Sequence, residues 1–335
     1  MAATLPLIIL LAAYGSGDFT HIARNYVKDN TLTIEAENAI FSDPWVGYLK
    51  TLVVVYQYGD YKPVMALVQE HQTLTITPTA ENQQPWDRSD TLGLKILGAA
   101  YGITDVTSKV QSKIVNDGLT LMDLDNTLGD GWVGHPETLV ICYQYSTDTP
   151  QGIVVRTDGQ VNLVGPQLTI LKAAYGLEDV TSTVQNLVSK QAGTRLDTLV
   201  SNTIFKDNWS GIAKTLVIVY QYKDFTPSVI AKKDSEKLII AYQTKTDKVE
   251  KPTSETQLQI LGAAYGPVDV TGVVKKRVVD NHLMIDAWNN EFGNTWENNK
   301  KSLVVVYKIG NKAPEMKIAP DVSIVVPNFM NYIDI

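Results

Sequence analysis

The chain has little cysteine and no excess of positive charge, and each lack excludes a class of protein. Its 335 residues include one cysteine, Cys142. An intramolecular disulfide framework is therefore excluded, and a single cysteine is typical of a reducing compartment. Acidic residues outnumber basic ones by 36 to 29, which gives a net charge of −7. This balance offers no electrostatic basis for binding nucleic acid or an anionic membrane surface.

Long apolar runs are also missing. None reaches the roughly 18 residues that a membrane-spanning helix needs. The run at residues 5–13 resembles the apolar core of a secretion signal, but no lysine or arginine precedes it. Similar runs recur three more times along the chain, so we interpret this one as a structural element. These observations predict a cytoplasmic protein without a membrane span.

The chain lacks the motifs of common catalytic and metal sites. Its four histidines, His21, His71, His135 and His282, occupy four different places in the repeat described below. No phosphate-binding loop, nucleophile elbow or cluster of histidine and cysteine is present. Cys142 stands where the other copies have valine, which favours a buried apolar role. We therefore expect no enzymatic activity, no cofactor and no metal ion.

What the chain does contain is a pair of sequence blocks that recurs four times in the same order. The first block reads LIILLAAYGSGDFT, LKILGAAYGITDVT, LTILKAAYGLEDVT and LQILGAAYGPVDVT. Its second and fourth copies are identical at 11 of 14 positions. The second block reads FSDPWVGYLKTLVVVYQY in the first copy and LGDGWVGHPETLVICYQY in the second. Such self-similarity indicates tandem structural repeats.

The spacing inside the copies supports this interpretation. The tyrosine of AAYG precedes the tryptophan of the second block by 31 residues in three copies and by 34 in the third. The tryptophan precedes a strand tyrosine by 11 residues in all four. We predict four modules joined by two polar linkers. The modules are residues 1–78, 92–165, 166–242 and 257–335, the last with a C-terminal tail, and the linkers are 79–91 and 243–256.

The linkers suggest how the modules are held together. The second and third modules meet through the short segment 164–167, whereas the outer two are joined through the longer linkers. Because a short join restricts orientation, we expect the second and third modules to be held close. The outer modules should be attached more loosely, unless module faces pack against each other.

Each module should be mainly β (α+β within the unit), small and sandwich-like, with one short helix. Residues 51–58 are apolar and β-branched on both faces, as in a buried central strand. Apolar residues then recur every fourth position, as at Val106, Val110 and Ile114, which predicts a helix of two to three turns with Thr107 as its N-cap. A module of about 75 residues has a marginal core, so neighbouring modules should bury surface together.

The loop around the repeated tryptophan is the best candidate for a site. An aspartate precedes the tryptophan by two positions in three copies, and an asparagine or aspartate precedes it by seven in all four. A carboxylate, an amide and an indole face are groups that carbohydrate sites use. The candidate ligand-binding residues are Asn38, Asp43, Trp45, Asp125, Asp130, Trp132, Asn202, Asp207, Trp209, Asn289, Asn294 and Trp296.

Two other interpretations of this loop remain open. In a structural role the aspartate would close a turn and the tryptophan would cover the end of a small core. Calcium binding is a weaker alternative, because each loop shows only one or two acids. Repetition alone does not separate these interpretations, because a fold repeats its core residues as well as its sites.

The combined pattern resembles a known module. The residues that carry it are Ala13-Tyr14-Gly15, Asp105-Val106-Thr107, Asp43-Pro44-Trp45-Val46-Gly47 and Lys50-Thr51-Leu52. In this order they resemble the C-terminal domain of the DnaJ-homologue subfamily C member 11 family, and the resemblance covers all four modules. No J domain accompanies it. The resemblance implies a β-rich accessory module without a catalytic centre.

Repetition also predicts how such a protein would work. Linked weak sites raise avidity without new contacts, so we expect a multivalent, lectin-like binding protein with glycans or proteins as partners. The alternative is a structural or self-assembling protein whose strand edges and tyrosine-rich surface form protein–protein interfaces. A third hypothesis is an accessory chain of a toxin or enzyme system.

Overall fold

The computed structural model describes residues 5–86, 93–223, 225–243, 247, 254–320 and 323–326. Strands hold 44% of the residues and helices 14%, so the predicted mainly-β class is confirmed. Parts of the two predicted linkers, at residues 87–91, 244–246 and 248–253, lie outside the described residues, as does the predicted tail at 327–335.

The first module forms a small two-sheet sandwich. Its elements are β1 (Leu7–Tyr14), β2 (Gly17–Asp18), α1 (Thr20–Asn25), β3 (Val27–Lys28), β4 (Thr31–Glu35), α2 (Asn38–Phe41), β5 (Thr51–Tyr58), β6 (Val64–Gln69) and β7 (Thr73–Ile76). The larger antiparallel sheet has the order β2-β1-β5-β6 and the smaller one the order β3-β4-β7. Alternate residues of both sheets, such as Ile9, Leu32, Val54 and Ile76, meet in one core.

The second module repeats this order with a two-stranded smaller sheet. Its elements are β8 (Leu94–Tyr101), β9 (Thr104–Asp105), α3 (Thr107–Gln111), β10 (Leu119–Leu121), α4 (Leu124–Leu128), β11 (Thr138–Tyr145), β12 (Gln151–Arg156) and β13 (Val161–Leu163). Its larger sheet has the order β12-β11-β8-β9, and its smaller sheet pairs β10 with β13. Its core again combines both sheets and both helices.

The third and fourth modules follow the same plan. The third contains β14 (Leu168–Tyr175), β15 (Glu178–Asp179), α5 (Thr181–Ser189), β16 (Leu196–Leu199), α6 (Asn202–Phe205), β17 (Thr215–Tyr222), β18 (Ser228–Lys233) and β19 (Lys237–Ile240). The fourth contains β20 (Leu258–Tyr265), β21 (Val268–Asp269), α7 (Thr271–Lys276), β22 (Val278–Val279), β23 (His282–Asp286), α8 (Asn289–Phe292), β24 (Ser302–Ile309), β25 (Glu315–Pro320) and β26 (Ser323–Val326).

The helices differ from the prediction in number, length and capping. Each module has two, because a single helical turn such as α2 follows the first strand of the smaller sheet. The first helix is also short, except α5, which is lengthened in the copy that carries the insertion. Thr107 is not the N-cap: Val106 is, and the Thr107 hydroxyl accepts the Ala99 N–H at 2.9 Å. That hydroxyl ties the helix to the sheet, while the carboxylate of Asp105 accepts the Thr107 N–H at 2.8 Å.

The chain divides into two compact units, residues 1–165 and 166–335. In the first unit, the outer faces of the two larger sheets pack against each other. Leu11 and Val55 of the first module lie in one apolar cluster with Leu97, Val140 and Cys142 of the second. This second buried face explains why the central strands are apolar on both sides. Packing of module faces, the stated exception to loose attachment, therefore applies to the first and second modules.

The second unit is built in the same way. Ala174, Val217 and Val219 of the third module form one cluster with Leu261 and Val304 of the fourth. Here too, packing of sheet faces holds together two modules that the sequence joins by a long linker, so the same exception to loose attachment applies to the fourth module. The burial between modules compensates for the small core that each module has by itself.

Close approach of the sheets depends on glycine at particular positions. A Cβ on Gly98 would lie 2.8 Å from a methyl group of Val55, and one on Gly152 would lie 2.3 Å from a methyl group of Leu11. In the second unit a Cβ on Gly262 would lie 2.5 Å from a methyl group of Val229. Real Cβ atoms do not approach so closely, so a side chain at these positions would force its neighbour to shift, and glycine lets the faces pack as closely as they do.

Candidate functional site

Each module places a loop with the repeated tryptophan between its second helix and its central strand. We call these the Trp loops, residues 42–50, 129–137, 206–214 and 293–301. Their backbones match, since the residue three positions after the tryptophan donates its N–H to the tryptophan carbonyl in every module, at 3.0 to 3.3 Å. The four Trp loops therefore share the same backbone frame.

The residue seven positions before the tryptophan holds the buried tyrosine of AAYG. The Tyr14 hydroxyl donates to Asn38 Oδ1 at 3.1 Å, and Tyr101 bonds in the same way to Asp125. The equivalent bonds, Tyr175 to Asn202 and Tyr265 to Asn289, measure 2.9 and 3.2 Å. Burial raises the pKa of the Tyr14, Tyr101 and Tyr175 phenols, so these three remain neutral donors. These four candidate residues thus anchor the second helix to the end of the first strand.

The aspartate two positions before the tryptophan shapes the loop itself. Asp43 Oδ1 accepts the main-chain N–H of Trp45 at 3.2 Å. The same turn forms between Asp130 and Trp132 at 3.1 Å, and between Asp207 and Trp209 at 3.3 Å. This is the local side-chain-to-backbone bond that aspartate commonly makes in turns. One carboxylate oxygen of each aspartate therefore has a partner within the loop.

In the first and third modules, oxygen atoms of the Trp loop surround the ammonium group of a buried lysine. Lys50 Nζ lies 3.1 Å from Asp43 and 3.3 Å from Glu70, and donates to the Tyr48 carbonyl at 2.8 Å. Lys214 Nζ lies 2.7 Å from Asp207 and donates to the Ile212 carbonyl at 3.0 Å. The hydrogen bond from Lys214 lowers the pKa of Asp207 below its usual range.

The fourth module keeps this arrangement with a neutral partner. Lys301 Nζ donates to Asn294 Oδ1 at 3.0 Å and to the carbonyls of Trp296 and Asn299 at 2.8 and 3.0 Å. These lysines were not among the predicted site residues. The available signal was their constant position five residues after the tryptophan in three of the four copies.

The second module replaces this lysine by Glu137, which is 3% exposed. Neither carboxylate oxygen has a hydrogen-bond partner in the described part of the chain. Burial raises the pKa of the Glu137 carboxyl, and the Asp130 and Asp125 carboxylates act in the same direction. The Gly131 N–H and the Tyr101 hydroxyl oppose part of this shift, but neither reaches hydrogen-bond geometry.

The four indoles are half-buried at the surface of their modules. Trp45 stacks on Tyr48 with ring centroids 5.1 Å apart, and the Arg156 guanidinium lies 4.9 Å from the Trp45 centroid. Within the second unit, Lys233 Nζ lies 5.5 Å from the centroid of Trp296. In each of these two cases, a cation of the neighbouring module covers part of the ring.

The loop tips differ from module to module, unlike the frame below them. They read Val46-Gly47-Tyr48-Leu49, then VGHP, SGIA and ENNK at residues 133–136, 210–213 and 297–300. In the fourth module, a polar depression of about 450 Å³ opens beside the tip. Its lining includes Asn289, Asn294, Asn298, Asn299 and Lys301. Two of the predicted site residues therefore line a surface depression.

The remaining chemically relevant groups are the possible metal ligands and the single thiol. Among the described residues, no three acidic, histidine or cysteine side chains are grouped to hold a metal ion. Cys142 is buried between the first and second modules, and burial raises the pKa of its thiol to about 12, which keeps it protonated and unreactive. In that same part of the chain, no helix is long and apolar enough to cross a membrane.

Comparison with known proteins does not identify the chain. It matches no protein-family model, and a search of curated proteins gives no match either. The resemblance to the C-terminal domain of the DnaJ-homologue family therefore remains a prediction from short motifs.

Proposed function

We propose that this chain is a non-enzymatic binding protein whose Trp loop tips contact the ligand. The supporting observation is the division of each loop into a repeated buried frame and an exposed tip that differs in every module. Rigid scaffolds that carry variable exposed loops are a common architecture for recognition. The tips differ, so the modules would offer related but unequal sites, rather than four copies of one site.

Carbohydrate is the ligand class that we propose, with the depression of the fourth module as its site. Asn298 and Asn299 lie at the tip of that loop, beside Asn289 and Asn294. Amide groups both donate and accept hydrogen bonds, which suits sugar hydroxyls. A depression of about 450 Å³ is within the usual size range of small-ligand sites. In the other loops, the carboxylates that the sequence suggested for hydroxyl recognition are engaged in loop turns.

A glycan array with the full chain, followed by calorimetric titration of any hit, tests this proposal. The sharpest variant is Asn298→Gly, because the other three modules have glycine at this position, at Gly47, Gly134 and Gly211. Asn298 has φ of +58°, so glycine suits its backbone and stability should not fall. We expect at least about a tenfold loss of affinity from the missing amide bonds.

Gly211→Asn is the matched control, since it places the same amide in the third module. It should leave the affinity of the fourth module unchanged. An array without hits, or an Asn298→Gly variant that binds as well as the parent chain, would contradict carbohydrate binding at this depression.

Self-association is a second candidate function, supported by the smaller sheet of the fourth module. Met284 and Val325 lie directly opposite each other on β23 and β26, and both side chains are more than half exposed. The first module has Thr33 and Thr75 at the equivalent pair. Exposed apolar pairs on a sheet face are typical of interaction surfaces.

Sedimentation velocity over a range of protein concentrations tests self-association. The parent chain should form dimers or larger species as concentration rises, and the Met284→Thr/Val325→Thr variant should remain monomeric. Thr33→Ser in the first module serves as the control for substitution on an equivalent face. A parent chain that stays monomeric at high concentration would exclude this function.

A further inference from the structure

We call the oxygen atoms around Lys50, Lys214 and Lys301 the lysine cage. In these three modules, the cage is a cation site that the module's own lysine ammonium occupies. Its oxygens come from the residue two positions before the tryptophan and from the carbonyl three positions after it. In the second module, the corresponding oxygens belong to Asp130 and to the main-chain carbonyl of His135. The loop backbone is the same, with Gly134 at φ of +80° and Gly47 at +82°. The loop backbone that carries these oxygens is therefore the same in the module that has no lysine.

Glu137 follows the path of the lysine but ends before it. A Cβ on Gly15 would contact the Cγ and Cδ atoms of Lys50, whereas one on the equivalent Gly102 would contact Glu137 Oε1. The carboxylate oxygen thus lies where the lysine still has methylene groups, because glutamate ends at Cδ and lysine continues through Cε to Nζ. The carboxylate therefore lies along the path that the lysine stem takes in the first module.

A second exchange accompanies the first. Glu70 and Asp234 occupy the same place in the first and third modules, where each donates its main-chain N–H to the carbonyl of the caged lysine. In the second module, this place is taken by Thr157, whose N–H donates to the Glu137 carbonyl at 2.9 Å. The second module thus gains the carboxylate of Glu137 and lacks the one that Glu70 or Asp234 supplies in the other modules. The number of acids therefore remains compatible with a bound positive charge.

No nearby cation neutralises these acids in the described chain. Arg156 donates to Ser16 Oγ at 3.2 Å and lies over Trp45, and Lys109 donates to the Leu128 carbonyl at 2.7 Å. Asp125 is bonded to Tyr101 and accepts the Thr157 hydroxyl at 3.0 Å. A buried carboxylate without a partner is unfavourable, and an oxygen-binding cation would remove that cost.

We propose that the Trp loop of the second module binds a calcium ion where the other modules place a lysine ammonium. Its ligands would be the carboxylates of Glu137 and Asp130 and the main-chain carbonyl of His135. Calcium takes 6 to 8 oxygen ligands at about 2.3–2.6 Å and combines carboxylates with carbonyls and water. Because only two carboxylates converge, water completes the coordination sphere. This inference is independent of the carbohydrate site in the fourth module.

Terbium luminescence with the full chain tests the proposal directly. Terbium substitutes for calcium, and excitation of the adjacent Trp132 indole should produce sensitised emission that calcium abolishes by competition. Glu137→Gln removes the charge and keeps the shape of the side chain. We expect it to weaken calcium binding by about tenfold or more, because calcium affinity follows the number of ligand charges.

Two further variants locate the site. Glu137→Lys restores the residue of the other three modules, so it should fold, abolish calcium binding and raise the melting temperature measured without calcium. Trp132→Phe should remove the sensitised emission while calorimetry still detects calcium. Asp43→Asn, in the first module, is the matched control and should leave calcium binding unchanged.

The outcomes decide the proposal clearly. A calcium-dependent rise in melting temperature that is present in the parent chain and absent from Glu137→Gln supports it. Calorimetry without a calcium signal would overturn it, and so would terbium emission that Glu137→Gln leaves unchanged. In either of these cases, the buried carboxyl would be neutral by protonation, which a proton-uptake measurement on folding would then detect.

Discussion

The first and second modules share one backbone plan and bury opposite charges beneath the same loop. In the first, the ammonium of Lys50 is surrounded by Asp43 and Glu70 at 3.1 and 3.3 Å. In the second, Glu137 occupies that position without a hydrogen-bond partner among the described residues. The same loop frame therefore accommodates a basic or an acidic side chain. The turn bond from aspartate to the tryptophan N–H is present in both modules, so it does not depend on the lysine.

Their sheets differ in a complementary way. Leu11 projects from β1 toward Gly152 of β12, while Gly98 of β8 makes room for Val55 of β5. A large residue on one module thus meets a glycine on the other at both places. Two modules of one fold become a specific pair through such local exchanges of size.

Removing the buried lysine should have the largest effect. Lys50→Met leaves two carboxylates beside each other without their cation, and Glu70 is buried. We expect a loss of about 3–5 kcal/mol in the unfolding free energy of the first unit. Glu137→Gln in the second module should instead be neutral or stabilising when calcium is absent, because it removes an unpaired buried charge. Calorimetric unfolding of the full chain compares the two, and equal losses would contradict the proposed difference.

Truncating the large side chain of Leu11 between the sheets should have the next largest effect on stability. Leu11→Ala creates a cavity between the first two modules and should cost about 2–5 kcal/mol. Gly152→Ala should cost about 1–3 kcal/mol, because its new methyl group overlaps the Leu11 side chain. In the double variant the methyl group enters the cavity, so the two losses should be less than additive. Denaturant unfolding measures this coupling, and strict additivity would argue against direct contact.

Removing the hydrogen bond of the buried tyrosine should reduce stability by a smaller amount, which differs between the first and second modules. Tyr14→Phe removes a bond to the neutral amide of Asn38 and should cost about 0.5–1.5 kcal/mol. Tyr101→Phe removes a bond to the carboxylate of Asp125 and should cost about 1.5–3 kcal/mol. The melting temperatures of the two variants, measured under the same conditions, check this order. A larger fall in melting temperature for Tyr14→Phe than for Tyr101→Phe would contradict this prediction.

The smallest expected effect is a difference in pH dependence. The pKa of Glu137 is raised in the folded chain, so folding takes up a proton between its unfolded and folded pKa values. Without calcium, this group should add stability below its unfolded pKa and lose that contribution as pH rises through the folded pKa. Asp207, whose pKa is lowered, should act oppositely and lose its contribution as pH falls. Melting temperatures of the parent chain and of Glu137→Gln between pH 4 and 7 measure the first effect, and parallel curves would contradict it.

The repeats made much of the fold predictable. Conserved spacing between AAYG, the tryptophan and the strand tyrosine located the first and central strands of all four modules. The second helix was missed because its single turn, as in Asn38–Phe41, is too short for a helical period. The threonine cap was wrong because the Thr107 hydroxyl bonds to the main chain of Ala99 instead, accepting its N–H at 2.9 Å and donating to its carbonyl at 3.3 Å.

The site was predictable in position but not in arrangement. The sequence drew attention to Asp43 and Asn38 because they repeat relative to Trp45. Of their partners, Tyr14 lies on β1 and Lys50 lies immediately before β5, and the partnerships appear only once those strands are placed. A repeated polar residue is therefore weak evidence for a ligand until its internal partners are known, and the depression in the fourth module was not apparent from the repeat.

Strand periodicity and turn chemistry are local properties, so the amino-acid sequence alone predicted four modules, their mainly-β class and the place of each Trp loop. Which side chains surround the buried lysines and which module faces are buried together depend on tertiary contacts. Long linkers suggested loose attachment, yet apolar faces on the larger sheets pack within each unit. Burial of apolar area outweighs the modest entropic cost of closing a longer linker, and that balance depends on surfaces that exist only after each module has folded.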